Sequence, residues 1–441
     1  MKNVLEWLEA TVAKYPDKPA FSDTESSITF RQVYDIARNT GAYLVEQLGV
    51  DRTPVAVFAG RKMVTPAYFL GVVYAGRPYA PIDASLPDKR IEKILENLCP
   101  GAIVADRESR EHVESIVDEL AKAEGFDRPQ IFIAEDISRF EQVACADSNC
   151  KISESAGDAV TDSENDTDGG VVAGCAGKTD DSSRDMLAVV RRQMSMTDPL
   201  YIIYTSGSTG NPKGVMTSHL SLMTYINAYC DVMHIEESDV LGNQSPLDYI
   251  AAIRDIYLPL KTGCSTAIIP KEYFMEPNAL FDYMNDKKVS SVGWSVSAFT
   301  ILTSLGAFEE VGLKSLRKIC FSGSVMPCRV LRKWQENLPE AHFVNQYGPT
   351  EATASCTYYS VDHLVEEDEV LPIGKAYDNY RVFLIDEHGN DPAVGEQGEI
   401  CVCGPILALG YYNDPERTAA AFTLNPLTVS YTHLRAHETS Q

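Results

Sequence analysis

Short apolar runs rich in β-branched and aromatic residues alternate with longer helix-like stretches along most of this chain. This alternation restricts the possible folds more than any other feature of the sequence. Strands that alternate with helices are typical of βα units with a largely parallel sheet. The apolar runs are 55–59, 79–82, 102–104, 200–204 and 265–269, and the helix-like stretches are 31–48, 88–98 and 218–233.

The length of the chain and its last third add to this organisation. A chain of 441 residues exceeds the usual size of one compact core, so two α/β lobes are expected. Residues 380–386 and 398–403 are joined by a turn-like segment rich in Gly, Asp and Glu, which indicates antiparallel strands. The predicted fold class is therefore α/β, with two α/β lobes of mainly parallel sheets and a smaller β subdomain.

Residues 146–185 differ abruptly in composition from the rest, being rich in Ser, Asp, Gly and Thr. Such a segment buries too little apolar surface to offset the conformational entropy lost on ordering. We predict a disordered, solvated insertion between the lobes. A regulatory or docking segment is the alternative.

The charge balance and the cysteines limit the partners and the location. The formal net charge of −25 opposes binding to nucleic acid or to an anionic membrane surface. No apolar run approaches the roughly 20 residues of a membrane span. The 11 cysteines include no CxxC pair, which favours reduced thiols over a disulfide framework. We expect a cytoplasmic protein with neither nucleic acid nor membrane as a partner.

The segment 201–215, YIIYTSGSTGNPKGV, leads from an apolar run into a loop of Gly, Ser and Thr with one lysine. Glycines let backbone amides approach an anion closely, and Lys213 adds a positive charge, so the loop predicts phosphate binding. A flexible surface turn is the alternative. A Walker loop is excluded because Lys213 is preceded by proline and followed by Gly214, and GxGxxG is excluded because only two residues separate Gly207 from Gly210.

This loop resembles the phosphate-binding signature of the adenylate-forming superfamily, which includes acyl-CoA synthetases, nonribosomal peptide synthetase adenylation domains and D-alanine carrier-protein ligases. Three further segments resemble that family's motifs in the same order. The similarity spans roughly residues 5–427 and is closer to amino-acid-activating members than to fatty acyl-CoA synthetases. The three segments are YAGRPYAPID at 74–83, NQYGPTE at 345–351, and GEICVCG at 398–404 with GYY at 410–412.

The resemblance implies ATP-dependent activation of a carboxylic acid as an acyl adenylate, followed by transfer to a thiol of a phosphopantetheinyl carrier protein or coenzyme A. It implies ATP and Mg²⁺ as cofactors, with Thr205, Lys213 and Glu351 as catalytic residues. Glu351 would bind the Mg²⁺, since hard cations prefer carboxylate oxygen. The residues implied to bind the nucleotide are Thr205, Ser206, Gly207, Ser208, Thr209, Gly210, Lys213, Gly323, Asn345, Tyr347, Gly348 and Thr350.

The substrate pocket departs from the pattern of amino-acid-activating relatives. These relatives carry an aspartate that pairs with the substrate ammonium, and Ile250 stands at that position here. Asp248 lies two residues earlier and is the candidate replacement. Trp294 and Ser322 are implied as pocket walls, although Trp294 is equally consistent with core. The substrate is therefore expected to be an amino acid or a related acid.

The resemblance ends near residue 427, before the segment in which relatives carry a ribose-binding aspartate and a small C-terminal domain with a catalytic lysine. Residues 428–441 are polar and unrelated to the family, so they are expected to be an artefactual tail. We therefore expect residues 1–427 to form an AMP-binding large domain that has little activity alone. The alternative is a truncated nucleotide-binding module without catalytic activity.

Overall fold

A computed structural model describes residues 2–123, 125–138, 181–206, 211–424 and 432–436. The helices are α1 Leu5–Lys14, α2 Phe30–Leu48, α3 Thr65–Tyr74, α4 Asp88–Leu98, α5 Arg110–Leu120, α6 Ala134–Ser138, α7 Asp181–Gln193, α8 His219–Met233, α9 Ile253–Thr262, α10 Pro277–Asp286, α11 Val296–Ser304, α12 Cys328–Asn337 and α13 Pro415–Ala421. The strands are β1 Pro19–Ser22, β2 Ser27–Thr29, β3 Val55–Phe58, β4 Tyr79–Pro81, β5 Ala102–Ala105, β6 Gln130–Ile133, β7 Pro199–Thr205, β8 Lys213–Ser218, β9 Val240–Asn243, β10 Ser265–Ile268, β11 Ser291–Ser295, β12 Lys318–Ser322, β13 His342–Tyr347, β14 Thr357–Ser360, β15 Lys375–Ala376, β16 Arg381–Ile385, β17 Glu399–Cys403, β18 Gly410–Tyr411, β19 Phe422–Leu424 and β20 Thr432–Ala436.

The first lobe is built on a seven-stranded sheet in the order β18-β8-β7-β4-β3-β5-β6. The strands from β7 to β6 run parallel, and β8 and β18 are antiparallel additions at one edge. Val55 and Val57 pack into the core that includes residues of α2 and α3, whereas Ala56 and Phe58 pack into the core formed with α4 and α5. Both faces of this sheet are therefore covered by helices, as parallel sheets require.

The second lobe contains a nine-stranded sheet in the order β15-β14-β13-β12-β11-β9-β10-β1-β2. Its six central strands are parallel, and β2, β14 and β15 are antiparallel at the edges. The N-terminal strand β1 joins this lobe, with Phe21 opposite Thr266 of β10. The two lobes are therefore not two consecutive pieces of chain, because the first strands belong to the second sheet.

A four-stranded antiparallel sheet, β16-β17-β20-β19, forms the smaller β subdomain. Strand β20 pairs with both β17 and β19, and Leu434 is 2% exposed. Part of the segment 428–441, which was expected to be an unrelated tail, is therefore a strand of this sheet. Backbone hydrogen bonding requires no particular side chains, so a segment without family motifs can still pair between two strands of a sheet.

The predicted fold class is confirmed, with two α/β lobes and a smaller β subdomain. One boundary differs, because α7 begins at Asp181, inside the segment 146–185 that was predicted as a disordered insertion. The rest of that segment, 146–180, lies outside the described residues. No helix in the described ranges is long and apolar enough to cross a membrane.

Candidate active site

The hairpin of β7 and β8 positions the predicted phosphate loop. Its register places Thr205 opposite Lys213, so the two ends of the loop meet at the edge of the first lobe. The Thr205 Oγ1 atom is buried and makes no hydrogen bond within the described part of the chain. Buried polar groups are nearly always paired, so a hydroxyl without a partner among the described residues is available to a ligand in the adjoining cavity. Four predicted loop residues, Gly207, Ser208, Thr209 and Gly210, lie outside the described residues.

The segment after β13 brings a second group of predicted residues to the same place. A Cβ atom at Gly348 would meet the Ser355 Cα at 2.5 Å, so only glycine fits where the chain leaves the strand. A short 3₁₀ turn, Thr350–Ala352, follows and carries Glu351. The backbone carbonyl of Glu351 accepts a hydrogen bond of 2.8 Å from the amide of Ala408, which fixes the turn.

Lys213, Glu351 and Tyr411 form one hydrogen-bonded cluster. The Lys213 Nζ lies 2.5 Å from the Glu351 Oε1, and the Tyr411 hydroxyl donates to the same oxygen at 2.6 Å. Lys213 also donates to the Tyr411 hydroxyl at 3.2 Å, and its ammonium lies 4.9 Å from the centre of that ring. Residues 138 positions apart in the chain thus form a charge pair whose side chains are 26% and 8% exposed.

The electrostatics of the cluster keep the Glu351 carboxylate ionised. Burial acts to raise the pKa of Glu351, but the hydrogen bonds from Lys213 and Tyr411 outweigh burial, and the pKa is lowered. Burial raises the pKa of Tyr411, and the charge of Glu351 raises it further. At neutral pH Glu351 is therefore a carboxylate and Tyr411 a neutral phenol.

A cavity of about 750 Å³, here called the hairpin cavity, opens beside this cluster. Its size falls within the range of about 300–1,000 Å³ that is typical of small-molecule sites. Nine of the predicted nucleotide-, metal- or substrate-binding residues line it together, although they come from four separate parts of the chain. They are Thr205, Ser206, Lys213, Asp248, Ile250, Gly323, Gly348 and Thr350, with Glu351 as a ninth that binds Lys213 directly.

Four other predicted residues do not line the hairpin cavity. Trp294 is 0% exposed and donates from its Nε1 to the Gly242 carbonyl at 2.8 Å, so its predicted contact with substrate is replaced by a place in the core. Ser322 ends β12 opposite Ser295. Asn345 donates from its Nδ2 to the Pro372 carbonyl at 2.9 Å. Tyr347 ends β13, directly before the lining residue Gly348, and packs partly against the core of the β subdomain.

Three residues of the cavity wall were not assigned a role from the sequence. Asp83 and Arg90 line the cavity, and both lie in or next to the YAGRPYAPID segment. Tyr411 belongs to the GYY segment, and pairing of β18 with β8 places it opposite Val215. The motifs marked these positions, but their side-chain contacts depend on the pairing of distant strands.

The donor set at Glu351 fits a metal that arrives with a phosphate ligand. No group of three or more His, Cys, Asp or Glu side chains that could hold a metal occurs in the described part of the chain. Mg²⁺ commonly binds through one or two carboxylates and completes its shell with substrate phosphates and water. A single ionised carboxylate beside a phosphate loop satisfies that requirement.

Comparisons with known proteins agree with this geometry. A sequence model of the family described as AMP-binding enzyme matches residues 8–412. A D-alanine–D-alanyl carrier protein ligase of Bacillus cereus (strain Q1) is 28% identical over 423 residues, covering 96% of this chain and 73% of the relative. The corresponding ligase of Bacillus thuringiensis (strain Al Hakam) is 29% identical with the same coverage.

Solved structures share the fold. The nonribosomal peptide synthetase FmoA3 (S1046A) matches with a TM-score of 0.77 and 22% identity, covering 99% of this chain and 41% of its own. The N-terminal subdomain of Klebsiella oxytoca NpsA, in complex with 3-hydroxybenzoyl-AMSN, matches with a TM-score of 0.74 and 18% identity, covering 99% of this chain and 96% of its own. The chain therefore belongs to the AMP-binding enzyme family, the adenylate-forming ligases that its motifs predict.

Proposed function

We propose that this chain uses ATP and Mg²⁺ to activate a small carboxylic acid as an acyl adenylate, which then passes to the thiol of a carrier protein. The observation that carries the proposal is the Lys213–Glu351 pair, which lines one cavity with Thr205, whose hydroxyl has no hydrogen-bond partner among the described residues. The relatives named as D-alanine–D-alanyl carrier protein ligases support a small acid and a carrier protein. Coenzyme A as the acceptor and a cytoplasmic location stay predictions.

The reaction forms a bond between a carboxylate oxygen and the α-phosphorus of ATP. The bond from that phosphorus to the β-phosphate bridging oxygen breaks, and pyrophosphate leaves with the electron pair. Such a step requires alignment of the reactants and stabilisation of charge on the phosphate oxygens. Lys213 supplies a cation, and Thr205 supplies a hydroxyl that has no other partner in the described part of the chain.

The ion pair also suggests how the site changes when nucleotide binds. Without nucleotide, Glu351 neutralises Lys213 at 2.5 Å. An entering phosphate competes with the carboxylate for the ammonium. Glu351 is then available to Mg²⁺, which would supply additional positive charge to the phosphate oxygens. The pair thus keeps Glu351 ionised and holds both side chains in place before the ligand arrives.

Calorimetry with the nonhydrolysable analogue AMP-PNP tests the proposal, combined with carboxylate-dependent ATP–pyrophosphate exchange over a panel of acids. We expect Glu351→Gln to weaken the Mg²⁺-dependent part of AMP-PNP binding by roughly tenfold, since a charge-assisted contact contributes about 1.5–3 kcal/mol. Glu369→Gln is the matched control, because Glu369 pairs with His363 outside the cavity.

Two results would each contradict one part of the proposal, the first the metal-binding role of Glu351 and the second the activation of an acid. If Glu351→Gln and wild type bind AMP-PNP equally at all Mg²⁺ concentrations, the assignment of the metal carboxylate is wrong. If nucleotide binds but no acid in the panel supports exchange, the alternative of a nucleotide-binding module without catalysis is favoured.

A further inference from the structure

A second cavity, of about 780 Å³, lies between the two lobes and is here called the interlobe cavity. Its lining includes Arg61 after β3, Gln244 after β9 and Pro270 after β10, so the carboxyl ends of strands from both sheets face it. In open α/β sheets, ligands bind outside the carboxyl ends of the strands. The cavity therefore occupies a position that is favourable for a second part of a ligand.

The interlobe cavity adjoins the hairpin cavity. Pro81, Ile82, Asp83, Pro246 and Asp248 line both. A molecule that contacts this common wall can extend into either cavity. Asp248 is consequently placed to hold the middle of a ligand whose two ends diverge.

Arg61 is a cation in the interlobe cavity that is held by hydrogen bonds to a neutral amide and to a backbone carbonyl. Its Nη2 donates to the Asn243 side-chain oxygen at 2.8 Å and to the Asn243 carbonyl at 2.7 Å, and its Nε donates to the same side-chain oxygen at 3.2 Å. Among the described residues, no carboxylate oxygen lies within 4.0 Å of its guanidinium. Burial lowers the pKa of Arg61 to about 10, although the charges of Asp255 and Glu272 act to raise it, and Arg61 is therefore charged at neutral pH.

The Asn243 contact gives the guanidinium a set orientation. Asn243 ends β9 and donates from its Nδ2 to Asp255 Oδ2 at 2.9 Å, so its oxygen faces Arg61. A neutral amide holds the guanidinium without cancelling its charge. Such an oriented, part-buried guanidinium fits the planar geometry of a carboxylate.

Asp248 is the opposite charge on the common wall. In the described part of the chain, no lysine, arginine or histidine nitrogen lies within 4.0 Å of its carboxylate. Burial raises the pKa of Asp248, and the charge of Asp83 raises it further. The backbone amides of Asp248 and Asp83 and the charge of Arg90 act in the opposite direction but do not cancel the rise. A ligand cation would relieve the repulsion between the two carboxylates.

Four other part-buried charged residues line the interlobe cavity, and each has a partner. The Asp23 carboxylate accepts the amides of Glu25 and Ser26, and the Glu135 carboxylate accepts the amide of Arg107. Lys62 pairs with Asp106 and Glu108, and the Asp83 carboxylate accepts the amide of Ser85 at 2.8 Å. Arg61 and Asp248 are therefore a cation and a carboxylate in one cavity that have no side-chain ion pair within 4.0 Å among the described residues, and they do not pair with each other.

We infer that the acid activated by this chain is an amino acid with a second anionic group at the end of its side chain. This inference rests on the proposed function. The ammonium binds Asp248 on the common wall, the reacting carboxylate faces Lys213 in the hairpin cavity, and the side chain enters the interlobe cavity, where its terminal carboxylate binds Arg61.

The test is calorimetry of the chain with L- and D-glutamate, each with and without AMP-PNP and Mg²⁺. Norvaline, which lacks the distal carboxylate, and glutarate, which lacks the ammonium, are the comparison probes. We expect a glutamate enantiomer to bind at least tenfold more tightly than norvaline and glutarate, because each comparison removes one charge-assisted contact worth about 1.5–3 kcal/mol.

Variants assign the contacts to residues. Arg61→Gln is expected to weaken glutamate binding by roughly 10- to 100-fold and to leave norvaline unchanged within twofold. Asp248→Asn is expected to weaken the binding of both glutamate and norvaline and to leave the binding of glutarate unchanged. Lys62→Gln is the matched control, since Lys62 lines the same cavity but is already ion-paired. Arg61→Lys, which keeps the charge, should recover part of the affinity.

The outcomes separate the two proposals. Unchanged AMP-PNP affinity in Arg61→Gln shows that the variant is folded. If glutamate binds no more tightly than norvaline, or if Arg61→Gln does not change its affinity, the inferred substrate class is overturned while acid activation stands. If AMP-PNP does not bind the wild-type chain, the proposed function fails. The binding of glutamate measured without nucleotide then still shows whether Asp248 and Arg61 form an amino-acid site.

Discussion

Replacing Lys213 by methionine removes one of two cations from the lining of the hairpin cavity while keeping a side chain of similar length. Lys213 and Arg90 are the two basic residues among the described lining residues, which also include three carboxylates, those of Asp83, Asp248 and Glu351. The triphosphate of ATP adds several negative charges to this balance. The substitution is therefore expected to weaken nucleotide binding more than any other single change of a lysine in the chain.

The magnitude follows from the contacts of Lys213. A hydrogen bond to a charged group contributes about 1.5–3 kcal/mol, which corresponds to roughly 10- to 100-fold in affinity. The side chain is 26% exposed, so solvent screening favours the lower part of that range. Loss of the Lys213 hydrogen bond also removes a contact that lowers the pKa of Glu351.

Calorimetry of AMP-PNP binding at pH 7.5 with Mg²⁺ measures the effect. Lys93→Met is the matched control, because Lys93 donates to Asn211 at 2.9 Å near the same loop but does not line the cavity. We expect tenfold or greater weakening for Lys213→Met and less than twofold for Lys93→Met. Equal affinities of Lys213→Met and wild type would refute the assignment of Lys213 as a phosphate ligand.

Four further predictions concern stability. The Lys213–Glu351 pair stabilises the fold above pH about 4.5 and loses this contribution as the pH falls through the lower folded-state pKa of Glu351. Glu351→Gln should therefore reduce the decrease in the free energy of unfolding at acid pH, measured by urea unfolding. Burial lowers the pKa of His219 from 6.5 to about 4. The contribution of the neutral imidazole to the free energy of unfolding is therefore full above pH 6.5 and falls by about 3 kcal/mol as the pH drops to 4. His219→Gln should remove this loss in the same urea unfolding assay. Gly348→Ala should cost about 1–3 kcal/mol, measured by urea unfolding, because its Cβ would overlap the backbone of Ser355. Deleting residues 146–180 should change the melting temperature by less than 2 °C in scanning fluorimetry, as the composition of that segment predicts.

The sequence by itself determined the fold class and the family. Alternating apolar and helix-like segments report local burial, and a loop such as 201–215 combines glycine, hydroxyl and lysine residues for a chemical reason that needs no tertiary information. The strand that leads into this loop and the antiparallel strands of the β subdomain were therefore predicted from the sequence. The family comparison confirms the same assignment.

The tertiary structure decided which side chains meet. The pairing of Lys213 with Glu351 and Tyr411 depends on strands β8, β13 and β18, which are far apart in the chain. Trp294 was a candidate pocket residue, but its strand presents it to the core, where its indole nitrogen bonds Gly242. Side chains alternate between the two faces of a strand, but this alternation does not show which face is covered by the core.

The N-terminal strand and the interlobe cavity show the same limit. Pairing of β1 with β10 joins residues about 245 positions apart, and no local pattern specifies that contact. The orientation of Arg61 depends on Asn243, a neutral residue 182 positions away. Local propensity and motif chemistry act within a few residues, whereas pairing of charges and lining of cavities depend on the packing of the two sheets against each other.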